Sequence, residues 1–166
     1  MQTLLPIATE IGAILKARRE TIAIAESSSG GLISAALLAV PGASAYYRGG
    51  GVIYSPKAFG GLLGLDRSAM EGLRSSTEPY ALLLAQTIQS NLNATWGLSE
   101  TGAAGPSGNG YGDAAGHTCV GLISKDGTVS QSRTLETGLA DREANMRHFA
   151  LEALDLLHQA LVHSDA

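Results

Sequence analysis

The sequence predicts an α/β fold, a three-layer α/β/α sandwich with a mixed, largely parallel central sheet. One observation is that short apolar segments typical of buried strands alternate with longer segments of helical periodicity. Another is an Asp-Gly turn near the carboxyl terminus, which joins two strand segments into an antiparallel hairpin. The length of 166 residues, without an evident linker or internal repeat, indicates a single domain over residues 1–166.

The elements are predicted in chain order from their periodicity and from signals at their ends. Pro41-Gly42 stops the second helix, Pro56 opens the third, and Thr77 provides an N-cap for the fourth. The predicted helices span residues 4–19, 32–40, 77–92 and the segment from 141 onward, with a further helix beginning at 56. The predicted strands span residues 21–25, 46–55, 95–101, 118–124 and 129–135, and a glycine-rich loop covers 102–116.

The composition excludes several classes of function. Basic residues number 11 and acidic residues 15, a net charge of −4, whereas a nucleic-acid or anionic-membrane partner requires a basic face. A single cysteine, Cys119, excludes an internal disulfide and a cysteine-rich zinc site. No apolar run approaches the ~20 residues of a membrane span. We therefore expect a soluble, cytoplasmic protein without a metal site, a membrane partner or a nucleic-acid partner.

A turn rich in serine and glycine follows the first predicted strand at residues 26–31, Glu-Ser-Ser-Ser-Gly-Gly. In open α/β sheets, ligands bind beyond the carboxyl ends of the strands. The helix that follows presents free N–H groups to a phosphate or a developing oxyanion. One of the serines is a candidate nucleophile if a base lies within reach. The alternative is an ordinary capped helix start, since serine is a common N-cap residue.

Longer motifs carry a resemblance to a known family. Residues 25–31 resemble the Ala-Glu-Ser-Cys-Thr-Gly-Gly motif of the CinA C-terminal domain family, the nicotinamide-nucleotide amidohydrolases. Residues 41–50 resemble its Pro-Gly-Ser-Ser-Ala-Tyr-Phe-x-Gly-Gly motif, and residues 52–55 its Val-x-Tyr-Ser strand end. Residues 101–106 resemble its Thr-Gly-Ile-Ala-Gly-Pro motif. These segments keep the order and the approximate spacing of the family.

This resemblance implies an α/β/α domain, usually a homodimer, that hydrolyses the carboxamide of nicotinamide mononucleotide without a metal or an organic cofactor. The products are nicotinate mononucleotide and ammonia, a step in the salvage of pyridine nucleotides such as NAD. The resemblance implies Ser27 as the nucleophile and Tyr54 as its assistant. The expected substrate-binding residues are Glu26, Ser28, Ser29, Gly30, Gly31, Arg48, Thr101, Gly102, Ala104 and Gly105.

The sequence departs from the family at positions that bear on catalysis and on the substrate. The assisting lysine of the family falls on Phe59, which cannot carry a proton. Lys57 is the nearby candidate for this catalytic role, although positions 57 and 59 point ~200° apart on a helix. A non-hydrolytic ligand-binding homologue is therefore the alternative function. A family lysine also falls near Asp113, whose charge would repel a phosphate, and this favours a different amide as a third hypothesis.

Three other side chains have two interpretations each. Arg48 either pairs with a phosphate or is a solvated charge near a dimer surface. His117 is the one histidine in the central part of the sequence, and it is a candidate base or ligand contact. The thiol of Cys119 invites a nucleophilic role, but a cysteine within an apolar strand usually behaves as a small hydrophobic residue.

Overall fold

The computed structural model describes residues 1–163, and its elements follow the predicted order. The helices are α1 (Leu5–Arg18), α2 (Leu32–Leu38), α3 (Pro56–Leu63), α4 (Glu78–Asn91) and α5 (Arg142–His163). The strands are β1 (Ile22–Glu26), β2 (Tyr47–Val52), β3 (Trp96–Ala103), β4 (His117–Ser124) and β5 (Ser130–Glu136). Two short 3₁₀ turns, Ala43–Ala45 and Arg67–Met70, lie outside the predicted elements.

The strands of the described chain form one mixed sheet in the order β2-β1-β3-β4-β5. Strand β1 pairs in parallel with β2 and β3, whereas β4 runs antiparallel to β3 and to β5. All strands except β4 therefore point the same way, which confirms the predicted α/β class and the largely parallel sheet. The carboxyl ends of β1, β2 and β3 meet at one edge, the place where open α/β sheets bind ligands.

Helices cover both faces of the sheet. Helices α1, α2 and α5 pack on one face, and α3 and α4 pack on the other. Helix α4 lies very close to the sheet. A Cβ atom added at Gly97 would lie only 2.1 Å from the carbonyl oxygen of Ala85 in this helix. A Cβ atom at Gly121 would lie 2.7 Å from the carbonyl carbon of Ala81. Glycine at these two strand positions therefore permits the close packing of this helix on the sheet.

Two predicted boundaries at the carboxyl edge of the sheet differ from the structure by two or more residues. The second strand ends at Val52, because Ser55 turns away from the sheet and caps α3, its hydroxyl accepting a hydrogen bond from the N–H of Ala58. Strand β3 continues to Ala103, two residues beyond the prediction, because Gly102 and Ala103 pair with β4. Both differences change the segments that lie at the carboxyl edge of the sheet.

Several local signals are confirmed. The hydroxyl of Thr77 caps α4 by accepting a hydrogen bond from the N–H of Tyr80 at 3.4 Å. Pro56 is the first residue of α3, and Asp126-Gly127 lies in the turn between the antiparallel strands β4 and β5. Within residues 1–163, no helix combines the length and the apolar character that crossing a membrane requires.

Candidate active site

A cleft of about 760 Å³ opens at the carboxyl edge of the sheet. Four of the predicted site residues line it: Ser27, Tyr54, Thr101 and Gly102. Its other lining residues are Ile53, Ser55, Pro56, Phe59, Leu65, Asp66, Arg67, Met70, Ser75, Ser76, Tyr80, Asn109 and Tyr111. A second cavity, of about 590 Å³, lies beside Trp96 and the β4–β5 turn, and none of the predicted site residues line it.

Glu26 ends β1 and is fully buried. Its Oε2 accepts hydrogen bonds from the hydroxyl of Ser29 at 2.8 Å and from the N–H groups of Gly31 and Ile33 at 2.9 and 3.1 Å. Its Oε1 accepts from the N–H and the hydroxyl of Ser34 at 3.0 and 2.7 Å. The carboxylate thus satisfies N–H groups at the start of α2. Glu26 shapes the turn and does not line the cleft. The geometry therefore gives no support to the substrate contact that the sequence led us to expect for it.

A second buried carboxylate, Glu100 on β3, holds the serine run from the other side. Its Oε2 accepts hydrogen bonds from the N–H groups of Ser27 and Ser29 at 3.1 and 2.8 Å. Its Oε1 accepts from the hydroxyl of Ser28 and, at 2.9 Å, from the hydroxyl of Thr118. Glu100 was not predicted, although an acidic residue within a buried strand pattern is a signal of a specific polar role.

The two carboxylates give the three serines different roles. Ser28 and Ser29 are buried, and they donate their hydroxyls to Glu100 and Glu26. Ser27 is half-buried and lines the cleft. Its Oγ makes no hydrogen bond with any residue of the described chain, whereas its N–H is anchored on Glu100. The Ser27 hydroxyl is therefore available to a ligand.

Gly30 and Gly31 complete the turn in the left-handed backbone region, with φ values of 67° and 98°. Residues with a side chain rarely adopt this conformation. A Cβ atom at Gly30 would also lie 2.7 Å from the Cε of Met146 in α5. Both glycines are required by the shape of the turn, and neither lines the cleft.

The beginning of α5 ties together two segments around the cleft. Arg142 donates to the carbonyl oxygen of Gly105 at 2.6 Å and to the hydroxyl of Tyr54 at 3.2 Å. The side chain of Asn145 donates to the carbonyl oxygen of Ala104 at 2.8 Å. Ala104 and Gly105 are buried and do not line the cleft, so their role is structural: their carbonyl groups anchor this segment to α5. Arg142 and Asn145 were not predicted, because only the fold brings α5 to this edge.

Phe59 and Lys57 point to different sides of α3, as the helical spacing predicts. The ring of Phe59 lines the cleft and stacks on Tyr80, with 6.1 Å between ring centroids and 22° between ring planes. Lys57 is exposed and does not line the cleft. The catalytic role expected for Lys57 therefore has no support in the geometry, and an aromatic ring occupies the position of the family lysine.

The cation in the cleft is not the predicted one. Arg48 is exposed on the outer strand β2 and does not line the cleft. Arg67 does line it, and its guanidinium makes no ion pair with any residue between 1 and 163. Thr101 contributes a hydroxyl that accepts a hydrogen bond from the N–H of Ser76 at 3.3 Å. Arg67, directly after Asp66, is thus the basic side chain among the described residues that line the cleft.

Asp113 does not present its charge to the cleft. Its carboxylate accepts two hydrogen bonds from Arg74, at 2.6 and 3.1 Å, and one from Asn109 at 2.8 Å. The hydrogen bond from Arg74 is the main reason that the pKa of Asp113 falls to about 2. The geometry gives no support to the predicted repulsion of a phosphate by Asp113, because the carboxylate is paired with the guanidinium of Arg74 and does not line the cleft.

His117 is engaged outside the cleft. Its Nδ1 contacts the carboxylate of Glu136, and its Nε2 lies 2.8 Å from the carbonyl oxygen of Ser76. Both partners accept, so both ring nitrogens carry hydrogen. Burial lowers the pKa of His117, but the hydrogen bonds to Glu136 and Ser76 and the nearby carboxylates outweigh it and raise the pKa overall. Burial raises the pKa of the Cys119 thiol, which fits a packing residue.

These features define a class of protein: an α/β domain that presents a serine from a glycine-rich turn in a cleft at the carboxyl edge of its sheet. Family comparison makes this specific. The chain belongs to the CinA C-terminal domain family, whose model matches residues 4–161. The resemblance indicated by the sequence motifs is thereby confirmed.

Curated relatives carry the same family name. A CinA-like protein of Nostoc sp. is 34% identical over 164 residues, which cover 94% of this chain and 39% of that protein. A CinA-like protein of Desulforapulum autotrophicum is 36% identical over 153 residues, which cover 92% of this chain and 36% of that protein. The chain therefore spans less than half the length of these relatives.

Solved structures share the fold. A crystal structure of a CinA superfamily protein from Klebsiella pneumoniae superposes with a TM-score of 0.88 at 24% identity, covering 96% of this chain and 98% of that one. A competence or damage-inducible protein from Enterobacter asburiae gives a TM-score of 0.87 at 25% identity, covering 95% and 98%. These similarities confirm the α/β fold of the chain.

Proposed function

We propose that this chain hydrolyses the carbon–nitrogen bond of a carboxamide, with nicotinamide mononucleotide as the expected substrate and Ser27 as the nucleophile. The observation that carries the proposal is the separation of roles within the serine run. Ser27 lines the cleft with a free hydroxyl, while Ser28 and Ser29 are buried against carboxylates. Membership of the CinA C-terminal domain family supports this assignment.

The proposed reaction is an acyl transfer to serine followed by hydrolysis. The oxygen of Ser27 attacks the carboxamide carbon while Tyr54 relays the Ser27 hydroxyl proton to the amide nitrogen, and the C–N bond then breaks so that the nitrogen leaves as ammonia. Water then cleaves the acyl ester, which releases the carboxylate and restores the serine hydroxyl. The N–H of Ser28 donates to no residue in the described chain and directly follows the nucleophile. A donor at this position suits the oxyanion of the tetrahedral intermediate.

Tyr54 is the proposed proton-transfer partner. The guanidinium of Arg142 has no acceptor atom, so their 3.2 Å contact requires the Tyr54 oxygen to accept. The hydroxyl hydrogen of Tyr54 therefore remains available to a group in the cleft, such as the leaving nitrogen. The side chain of Tyr54 is 64% exposed and lines the cleft, so a ligand can reach it. This arrangement supplies a proton donor without the family lysine.

Ammonia release from nicotinamide mononucleotide tests the proposal. We expect turnover by the wild type and a loss of at least about 10³-fold in kcat for Ser27→Ala, because the nucleophile is removed. Ser130→Ala is the matched control, since Ser130 is exposed at the start of β5 and does not line the cleft. Equal turnover by the wild type and Ser27→Ala would refute the role of Ser27.

A ligand-binding homologue without turnover is the second candidate, and Phe59 is the observation that favours it. Phe59 replaces a titratable side chain with a ring, and no lysine is among the described residues that line the cleft. Calorimetric binding of nicotinamide mononucleotide without ammonia release would support this candidate. Ammonia release that depends on Ser27 would exclude it. The homodimer implied by the family resemblance also remains a prediction.

A further inference from the structure

Aromatic side chains concentrate in the cleft. The chain has one tryptophan, five tyrosines and two phenylalanines, and four of these eight line the cleft: Tyr54, Phe59, Tyr80 and Tyr111. Phe59 and Tyr80 are buried and stack on each other, so packing explains them. Tyr111 is 58% exposed and belongs to the glycine-rich loop after β3. An exposed ring contributes little to a core, and its position in a cleft points to contact with a ligand.

A charged clamp, formed by Arg74 and Asp113, holds the segment that carries Tyr111. Arg74 donates two hydrogen bonds to the Asp113 carboxylate, at 2.6 and 3.1 Å. Asn109 donates to the same carboxylate, and its side-chain oxygen accepts from the N–H groups of Tyr111 and Asp113 at 3.0 and 3.1 Å. A bidentate pair of this kind fixes geometry as well as adding energy. The clamp therefore holds the loop in one position beside the cleft.

Arg74 also contacts the ring of Tyr111 directly. Its guanidinium carbon lies 5.6 Å from the ring centroid, a cation–π contact that covers one face of the ring. Because Tyr111 is 58% exposed, much of the ring remains accessible to a ligand. Tyr111 lines the same cleft as the stacked rings of Phe59 and Tyr80.

We propose that Tyr111 is a specificity-determining residue that stacks on a planar ring of the ligand, and that Arg74 and Asp113 are its positioning residues. A planar ring offers a flat face for stacking, whereas a ring-free amide gains no such contact. This inference rests on the proposed function only for the identity of that ring, which is the nicotinamide ring. It does not require that the bound amide is hydrolysed. Recognition of the ring is thereby assigned to a loop outside the serine turn.

Binding and turnover of two probes, nicotinamide mononucleotide and the ring-free propionamide, test this proposal. We expect Tyr111→Leu to raise the calorimetric Kd and the KM for the mononucleotide about 2- to 10-fold, with kcat changed less than about twofold. Tyr111→Phe keeps the ring and should restore both constants. Asp113→Ala keeps Tyr111 but breaks the clamp, so both constants should rise. For propionamide, kcat/KM should be equal in all four proteins.

The outcomes separate this proposal from the amidase proposal. An unchanged Kd for the mononucleotide in Tyr111→Leu would overturn the role of Tyr111, as would the absence of mononucleotide binding by the wild type. Parallel losses for both probes would also overturn it, because they would show general damage to the site. Binding of the mononucleotide without ammonia release would contradict only the amidase proposal. The comparison of Kd values between the wild type and Tyr111→Leu would still decide the role of Tyr111.

Discussion

Substitution of Glu26 by glutamine places an amide NH₂ group against a backbone N–H in either orientation of the amide. An NH₂ in place of Oε1 faces the N–H of Ser34, and an NH₂ in place of Oε2 faces the N–H groups of Gly31 and Ile33. The less unfavourable orientation has the NH₂ in place of Oε1, which leaves only the N–H of Ser34 unpaired. It also weakens the other hydrogen bonds, because the negative charge is removed. We expect Glu26→Gln to lower the free energy of unfolding by about 2–4 kcal/mol.

The same substitution at Glu100 has a milder consequence. The amide oxygen can keep both backbone N–H groups, of Ser27 and Ser29, while the NH₂ faces the hydroxyls of Ser28 and Thr118. A hydroxyl rotates to accept a hydrogen bond, whereas a backbone N–H cannot. The cost is then mainly the lost charge assistance, about 1 kcal/mol.

Urea denaturation followed by circular dichroism measures both free energies beside the wild type. Glu71→Gln is the matched control at an exposed position, and it should change stability by less than about 0.5 kcal/mol. We expect Glu26→Gln to be about 1–3 kcal/mol less stable than Glu100→Gln. An equal loss in the two variants, or a larger loss at Glu100, would refute the reasoning from donor direction.

Two further predictions concern Phe59 and His117. Phe59→Lys should lower the free energy of unfolding by about 2–4 kcal/mol in the same assay, because it removes the stack on Tyr80 and brings an ammonium into an apolar cluster. Lys57→Met, its exposed control, should change stability by less than about 0.5 kcal/mol, and equal effects would contradict the assigned packing. The raised pKa of His117 means that its stabilisation is complete below its ordinary value of 6.5 and is lost as pH rises through the folded-state pKa. The stability difference between the wild type and His117→Gln should shrink as pH rises above 6.5, and a constant difference would argue against the doubly donating ring.

Local signals were sufficient to predict the order of the elements and the position of the serine turn. The cap at Thr77 and the turn at Asp126-Gly127 depend on neighbouring residues, so one sequence contains the information. To predict that Ser27 and Tyr54 lie in one cleft, it was also necessary to know that the strands before them, β1 and β2, run parallel. The alternation of helices and strands predicts this parallel arrangement.

Contacts between distant segments were not predictable from one sequence. Glu100 is 73 residues from Ser27, and Arg142 is 88 residues from Tyr54, so no local pattern links them. The ion pair of Asp113 was missed for the same reason, because its partner Arg74 lies 39 residues away. The support around the nucleophile therefore emerges only from the fold.

The role of Ser27 as a nucleophile is tested most directly by measuring binding and turnover in the same variant. Ammonia release and calorimetric affinity for nicotinamide mononucleotide are measured for the wild type and for Ser27→Ala. We predict that Ser27→Ala binds the mononucleotide within about twofold of the wild-type Kd and releases no ammonia, because the hydroxyl acts in the bond-breaking step. Ammonia release by Ser27→Ala at the wild-type rate would contradict the assignment of Ser27 as the nucleophile.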